Sequence, residues 1–107
     1  MNSTESAAIA ATLDKETLLN RVRDVVGCDI GDPLNIPQDC VKLRKQFDIT
    51  IETNFSSVFA FNHEGVCAAI PIGKTFGLQH QARRAACVAV ASMWTPEIRK
   101  AASRAAL

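Results

Sequence analysis

The chain has 107 residues, of which 48% are hydrophobic and 21% charged, and its formal net charge is +1. These proportions are typical of one small globular domain and exclude a disordered chain, and the balanced charge excludes a general attraction to nucleic acid or membranes. No apolar run approaches the roughly 18 residues of a membrane-spanning helix. Because the acids Glu5 and Asp14 do not fit a secretory signal, we expect a cytoplasmic protein with no membrane partner.

The N-terminal part predicts a tail followed by a helix. Residues 1–13 are mostly small and polar, so we expect a flexible tail there. Asp14 is a typical N-cap, with Leu13 and Leu18 placed to pack against each other across it. Apolar residues then recur at helical spacing until Gly27, where we expect the first helix to end.

A second element follows a loop that contains two prolines. Cys40, Leu43 and Phe47 recur three and four residues apart, which favours a short helix from about Pro37. Val41 and Leu43 would share a face of a strand, so a strand is the alternative over residues 40–47.

The hydrophobic period then changes to two, which indicates β-strands. Ile49 and Ile51 alternate with polar residues, and apolar stretches follow at residues 58–61 and 66–72. Residues 62–65 form a connection of hairpin length between these two stretches. Three successive strands with short turns predict an antiparallel meander.

A long alanine-rich helix is expected from about Gly77. Its residues 85–93 are apolar at every position except Ser92, so both sides of this segment should be covered. The sheet would cover one side, and either the first helix or a partner subunit the other. A partner subunit would make the chain a homodimer, joined through this helix or the adjoining Trp94.

The fold class that follows is α+β. We expect a two-layer sandwich in which the N-terminal helix and the long alanine-rich C-terminal helix pack on one face of a three-stranded antiparallel meander. Residues 14–94 would form this single domain. Pro96 at the start of a new pattern predicts a short basic C-terminal helix within residues 95–107.

Few residues of the sequence are candidates for catalysis or metal binding. The four cysteines have no C-x-x-C spacing and apolar neighbours, so we expect buried free thiols, no disulfides and no metal site. His80 lies two helical turns before Cys87, roughly 10 Å away, too far for direct pairing. We therefore expect no catalytic residue, no cofactor and no enzymatic activity.

Charge is distributed unevenly along the chain. Residues 1–71 hold 6 basic and 10 acidic residues, whereas residues 72–107 hold 6 basic residues and 1 acidic residue. Six C-terminal cations could contact phosphates or an acidic partner surface. The candidate binding residues are Lys74, Arg83, Arg84, Arg99, Lys100 and Arg104.

The order helix, three-stranded meander, long helix is similar to that of double-stranded RNA-binding domains. In that family the second helix opens with a lysine cluster and then becomes alanine-rich, as residues 82–86 are here around Arg83 and Arg84. Gln79 and His80 stand where the family has paired lysines. This resemblance implies direct nucleic-acid binding, which is our alternative hypothesis for function.

A second resemblance covers about residues 14–94. It rests on the leading helix, the Pro37-Gln38-Asp39 loop, the apolar residues of the central segment and the alanine-rich run over residues 80–88. The apolar residues concerned are Leu43, Phe47, Ile49 and Ile51. Together these features resemble small phage and prophage accessory proteins of the helix-sheet-helix (ABA-sandwich) kind.

The phage resemblance implies a setting in the cytoplasm of an infected bacterium and brings no catalytic residue with it. Our leading expectation is a non-enzymatic binding protein that acts by protein–protein contact on a host complex. A nucleic-acid-handling defence complex such as CRISPR–Cas is the expected kind of target. The six basic residues would then occupy a channel meant for nucleic acid.

Overall fold

The computed structural model describes residues 8–65, 67–72 and 77–105. Helices pack on one face of a three-stranded antiparallel sheet, which confirms the α+β class. None of the described helices is long and apolar enough to cross a membrane. The elements in chain order are α1 (Lys15–Val26), a 3₁₀ turn (Cys28–Ile30), α2 (Pro37–Phe47), β1 (Thr50–Thr53), β2 (Ser57–Phe61), β3 (Cys67–Pro71), α3 (Leu78–Ala91) and α4 (Pro96–Ala105).

Helix α1 begins and ends where the sequence predicts. The Asp14 carboxylate accepts a hydrogen bond of 2.7 Å from the Thr17 amide and thereby caps the first turn. Gly27 ends the helix with a φ of 100°, a conformation that favours glycine. Leu18 and Val22 are fully buried, so the predicted apolar stripe is the core-facing side.

The segment before α1 corrects the expected extent of the flexible tail. Residues 8–11 form a helical turn, and the side chain of Ala10 is buried in the core. Leu13 also packs against the core. Residues 8–13 are therefore part of the packed domain, because their apolar side chains pack against its hydrophobic core. The other residues of the expected tail, 1–7, lie outside the described part of the chain.

The second element is a helix, so the strand interpretation of residues 40–47 is wrong. Pro37 occupies the first turn, and Cys40 and Leu43 are buried against the rest of the domain. Val41, which a strand would have placed beside Leu43, is 48% exposed. Asp48 ends the helix in the left-handed conformation, and β1 begins two residues later.

The sheet has the order β1-β2-β3, as expected for a meander. On β2, Val58 and Ala60 are fully buried, whereas Phe59 and Phe61 are half-buried on the opposite face. Ala68 and Ile70 of β3 continue the buried face. This is the side of the sheet on which α3 packs.

Helix α3 lies at the centre of the molecule. All seven residues from 85 to 91 are buried, as the apolar pattern predicts. The strands cover one side of the helix, and α1 and α2 contact it as well. The sequence left open whether the first helix or a partner subunit covers the other side of α3. In the structure α1 lies on that side, with α2 beside it. The small alanine side chains allow this close packing.

Candidate functional site

The five candidate basic residues that the structure describes lie on two helices. Lys74 lies outside the described residues. Arg83 and Arg84 lie in the first turns of α3, and Arg99, Lys100 and Arg104 lie on α4.

Arg83 and Arg84 are half-buried and hold distant parts of the chain together. Arg83 Nε donates to the Leu34 carbonyl at 3.0 Å. Arg84 Nη2 donates to the carbonyls of Ala11 and Leu13 at 3.1 and 2.9 Å. These bonds satisfy acceptors in the loop before α2 and in the segment before α1. The structure therefore gives both arginines partners within their own chain.

The α4 cations are presented differently. Arg99, Lys100 and Arg104 are exposed, and no described carboxylate lies within ion-pair distance of them. Ile98 and Ala102 of the same helix are half-buried, and α4 packs on α1. The charged side chains thus line the solvent side of an amphipathic helix.

Trp94 also has its partners within the chain. Its indole Nε1 donates to Asp24 Oδ2 at 2.9 Å, and the Arg21 guanidinium carbon lies 4.1 Å from the ring centroid. The neighbouring α3 segment, residues 85–91, is buried within the chain. The surfaces that we expected to join two copies are therefore used for internal packing.

The most exposed large apolar side chain in the described structure is Phe55, at 100%. It lies in the turn between β1 and β2, where Asn54 Oδ1 accepts bonds from the Ser56 amide, the Ser56 hydroxyl and the Ser57 amide at 2.8 to 3.0 Å. The Ile72 amide donates to the Ser56 carbonyl at 3.0 Å. The turn is thus held by several hydrogen bonds, and the aromatic ring of Phe55 at its tip is fully exposed to solvent.

A groove of about 210 Å³ lies between α2, the first turns of α3 and β1. Pro37, Val41 and Arg44 line it from α2, Arg83 from α3 and Ile51 from β1. Its walls are therefore mostly apolar, with two guanidinium groups among them.

The thiol of Cys40 lines the same groove. Burial raises its pKa, and the positive charges of Arg44 and Arg83 oppose that shift only in part. The thiol is accordingly protonated at neutral pH and a poor nucleophile.

The other titratable candidates are scattered. Cys28, Cys40 and Cys87 are free thiols, but Cys28 is exposed, which corrects our expectation that the cysteines are buried. Burial raises the pKa of Cys87. The side chain of the fourth cysteine, Cys67, is not among those that the structure describes.

The histidines lie apart from these thiols. His63 Nδ1 lies 3.3 Å from Asp48 Oδ2 at the surface, and His80 is on α3. Within residues 8–65, 67–72 and 77–105, no group of three potential metal ligands converges.

Sequence reasoning missed two of these features, the exposed Phe55 and the groove. An aromatic residue directly after Asn54 in a turn is a local signal that could have identified the first. The groove joins elements far apart in sequence, and no local pattern marks it. Comparison of the chain with known protein families, with curated proteins and with solved structures finds no match.

Proposed function

We propose that this chain is a non-enzymatic binding protein that acts by protein–protein contact. In the phage setting suggested by the sequence resemblance, its target is a host complex, and a defence complex such as CRISPR–Cas is the target class that we favour. The observation that supports the binding function is the complete exposure of Phe55 on a hydrogen-bonded turn.

Phe55 has the properties of an interface anchor. Burying a phenylalanine side chain is worth about 1.5–3 kcal/mol, and none of that is gained by this ring in the free chain. The bonds of Asn54 fix the turn before any partner arrives, so little backbone freedom is lost on contact. An aromatic side chain that enters a partner pocket typically dominates the binding energy.

The test is capture of partners from bacterial lysate by the tagged protein, with and without nuclease, followed by mass spectrometry. We expect a stoichiometric protein partner that survives nuclease and is lost with Phe55→Ser. Ile9→Ser is the matched control, because Ile9 is also exposed, at 44%. Equal capture by wild type and Phe55→Ser would reject Phe55 as the anchor, and capture that nuclease abolishes would reject the protein-binding function.

Direct nucleic-acid binding is the second candidate, and the exposed α4 cations favour it. Arg99, Lys100 and Arg104 could each neutralise a phosphate. With three contacts, affinity for a duplex should fall roughly 40-fold between 50 and 200 mM salt. The double variant Lys100→Glu/Arg104→Glu should abolish such binding. A salt-independent affinity or an unaffected double variant would reject this candidate.

A further inference from the structure

The outer edge of β1 lies next to the groove. In the described structure β1 pairs with β2 along one edge, and no strand pairs with its other edge. Its residue Ile51 lines the groove together with Val41 and Arg44 of α2. A channel bounded by a helix and an unpaired strand has the shape into which extended peptides add as a further strand.

The backbone of β1 offers hydrogen bonds at this edge. The Asn54 amide donates to the Ser57 carbonyl across the turn, at 3.0 Å. Hydrogen-bonded pairs alternate along antiparallel strands, so Glu52 is bonded to β2 whereas Ile51 and Thr53 direct their amide and carbonyl groups away from it. These two residues present the donors and acceptors that an added strand needs.

The charge of the groove indicates what kind of segment it takes. Arg44 Nε donates to the Ile49 carbonyl at 3.3 Å, and Arg83 Nε donates to the Leu34 carbonyl. The terminal nitrogens of both guanidiniums have no described carboxylate within ion-pair distance. Among the described residues that line the groove, none is acidic. Acidic side chains on the inward face of an added strand would therefore be paired by arginine.

A second copy of this chain fits this edge poorly. Two β1 strands paired antiparallel through Ile51 and Thr53 would place Glu52 opposite its own copy, and like charges directly opposite each other are destabilising. Each groove would also meet the basic groove of the other copy. These repulsions favour a different, acidic chain as the occupant.

We propose that β1 accepts an extended acidic segment of a partner protein as a fourth strand. The segment lies antiparallel to β1 in the groove, with backbone bonds to Ile51 and Thr53. An apolar side chain on its inward face packs against Val41 and Ile51, and flanking carboxylates pair with Arg44 and Arg83. This surface is distinct from Phe55, which does not line the groove.

The direct test uses a labelled seven-residue peptide with glutamate, valine and glutamate at alternate positions and threonine at the others. Fluorescence anisotropy should show saturable binding at low salt. A peptide with lysine in place of both glutamates should bind at least tenfold more weakly, because its cations face those of the groove. Absence of binding, or equal binding of the two peptides, would overturn the proposal.

Variants locate the binding surface. Val41→Glu changes an exposed side chain and should weaken binding of the glutamate peptide at least tenfold, because its carboxylate repels those of the peptide. Lys100→Glu on α4 and Phe55→Ser are the matched controls and should leave it unchanged. Loss of peptide binding in Phe55→Ser would contradict a separate surface. The Phe55 capture experiment can fail while this one succeeds, so the two proposals are tested independently.

Amide exchange tests the strand pairing itself. In the wild-type protein, NMR should show that saturating glutamate peptide slows exchange of the Ile51 and Thr53 amides at least tenfold, while the Glu52 amide changes little because it is already bonded to β2. Thr53→Pro removes one edge-facing donor and should weaken binding in a protein with wild-type circular dichroism. Unchanged exchange at Ile51 and Thr53 on saturation would overturn strand addition.

Discussion

The two halves of α3 are held in place by different means. The first turns carry Arg83 and Arg84, which are half-buried and bonded to backbone carbonyls of distant segments. From residue 85 to residue 91 every side chain is buried, and packing holds the helix between the sheet and α1. Directional bonds thus position the segments around the start of the helix, whereas apolar burial stabilises its remainder.

This difference shows why charge on a helix is an ambiguous signal. In the sequence, Arg83 and Arg84 resemble the basic start of a nucleic-acid-binding helix, and the apolar run after them resembles a dimer seam. The structure supplies internal partners for both, because the helix lies at the centre of a small domain. Of the candidate basic residues that the structure describes, the three on α4 are the exposed ones.

The largest expected effect comes from placing a charge in the apolar half. Val88 is fully buried, so Val88→Asp would bury a carboxylate without a partner and should abolish cooperative folding. Val41→Asp is the matched control, since Val41 is 48% exposed, and it should change the free energy of unfolding by less than about 0.5 kcal/mol. Thermal unfolding followed by circular dichroism compares the two. A cooperative transition in Val88→Asp near the wild-type temperature would contradict the buried placement.

The second prediction removes hydrogen bonds made by the first turns of α3. Arg84→Ala removes the bonds to the carbonyls of Ala11 and Leu13 and should lower the free energy of unfolding by about 1.5 kcal/mol, the low end for charged donors because the side chain is half exposed. Urea titration measures this loss. Arg104→Ala, at an exposed arginine, should cost less than about 0.5 kcal/mol. Equal losses in the two variants would show that the Arg84 bonds contribute nothing to stability.

The third prediction concerns the bond that follows the apolar half. Asp24→Ala removes the acceptor of the Trp94 indole and should cost about 1 kcal/mol. Because the chain has one tryptophan, its fluorescence reports on this site alone, and the emission should shift to longer wavelength. Asp29→Ala, at an exposed carboxylate, should leave the spectrum unchanged. Identical spectra in the two variants would argue against the indole bond.

The smallest effect is a pH dependence at the start of α3. Burial lowers the pKa of His80 from 6.5, and the positive charges of Arg83, Arg84 and Lys15 lower it further. The unfolded chain therefore binds the proton at higher pH than the folded chain. The contribution to stability is complete above pH 6.5 and is lost as the pH falls through the lower, folded-state pKa.

Urea titrations at pH 7.5 and 5.5 test this sign. Wild type should lose more stability between these values than His80→Gln, which has no proton to bind at this position. An equal loss in the two proteins would show that His80 does not contribute to the pH dependence.

Local patterns predicted the elements because each pattern depends on near neighbours. Asp14 caps α1 through an amide three residues away, and the change of period near Ile49 marks the sheet. The ambiguity at α2 was resolved by tertiary packing, which buries Cys40 and Leu43 and leaves Val41 exposed. A run of eight residues contains too few turns to decide this alone.

The candidate sites were harder to predict because their partners are distant in sequence. Arg84 bonds to acceptors more than 70 residues earlier, and these acceptors are backbone carbonyls that carry no sequence signal. The six cations could therefore be counted from the sequence, but the internal bonds of Arg83 and Arg84 depend on the path of the chain. The groove depends on the same path, since α2, α3 and β1 meet only in the folded molecule.

The direct connection between α2 and β1 has a kinetic consequence. Asp48 and buried Ile49 alone join the helix to the strand, and Arg44 of the helix bonds to the carbonyl of Ile49. The α2 and β1 walls of the groove are therefore joined by a short connection that carries its own hydrogen bond, and we expect no hinge motion between them. Association with an extended segment should then be a single bimolecular step, whose observed rate rises linearly with ligand concentration and reaches no plateau.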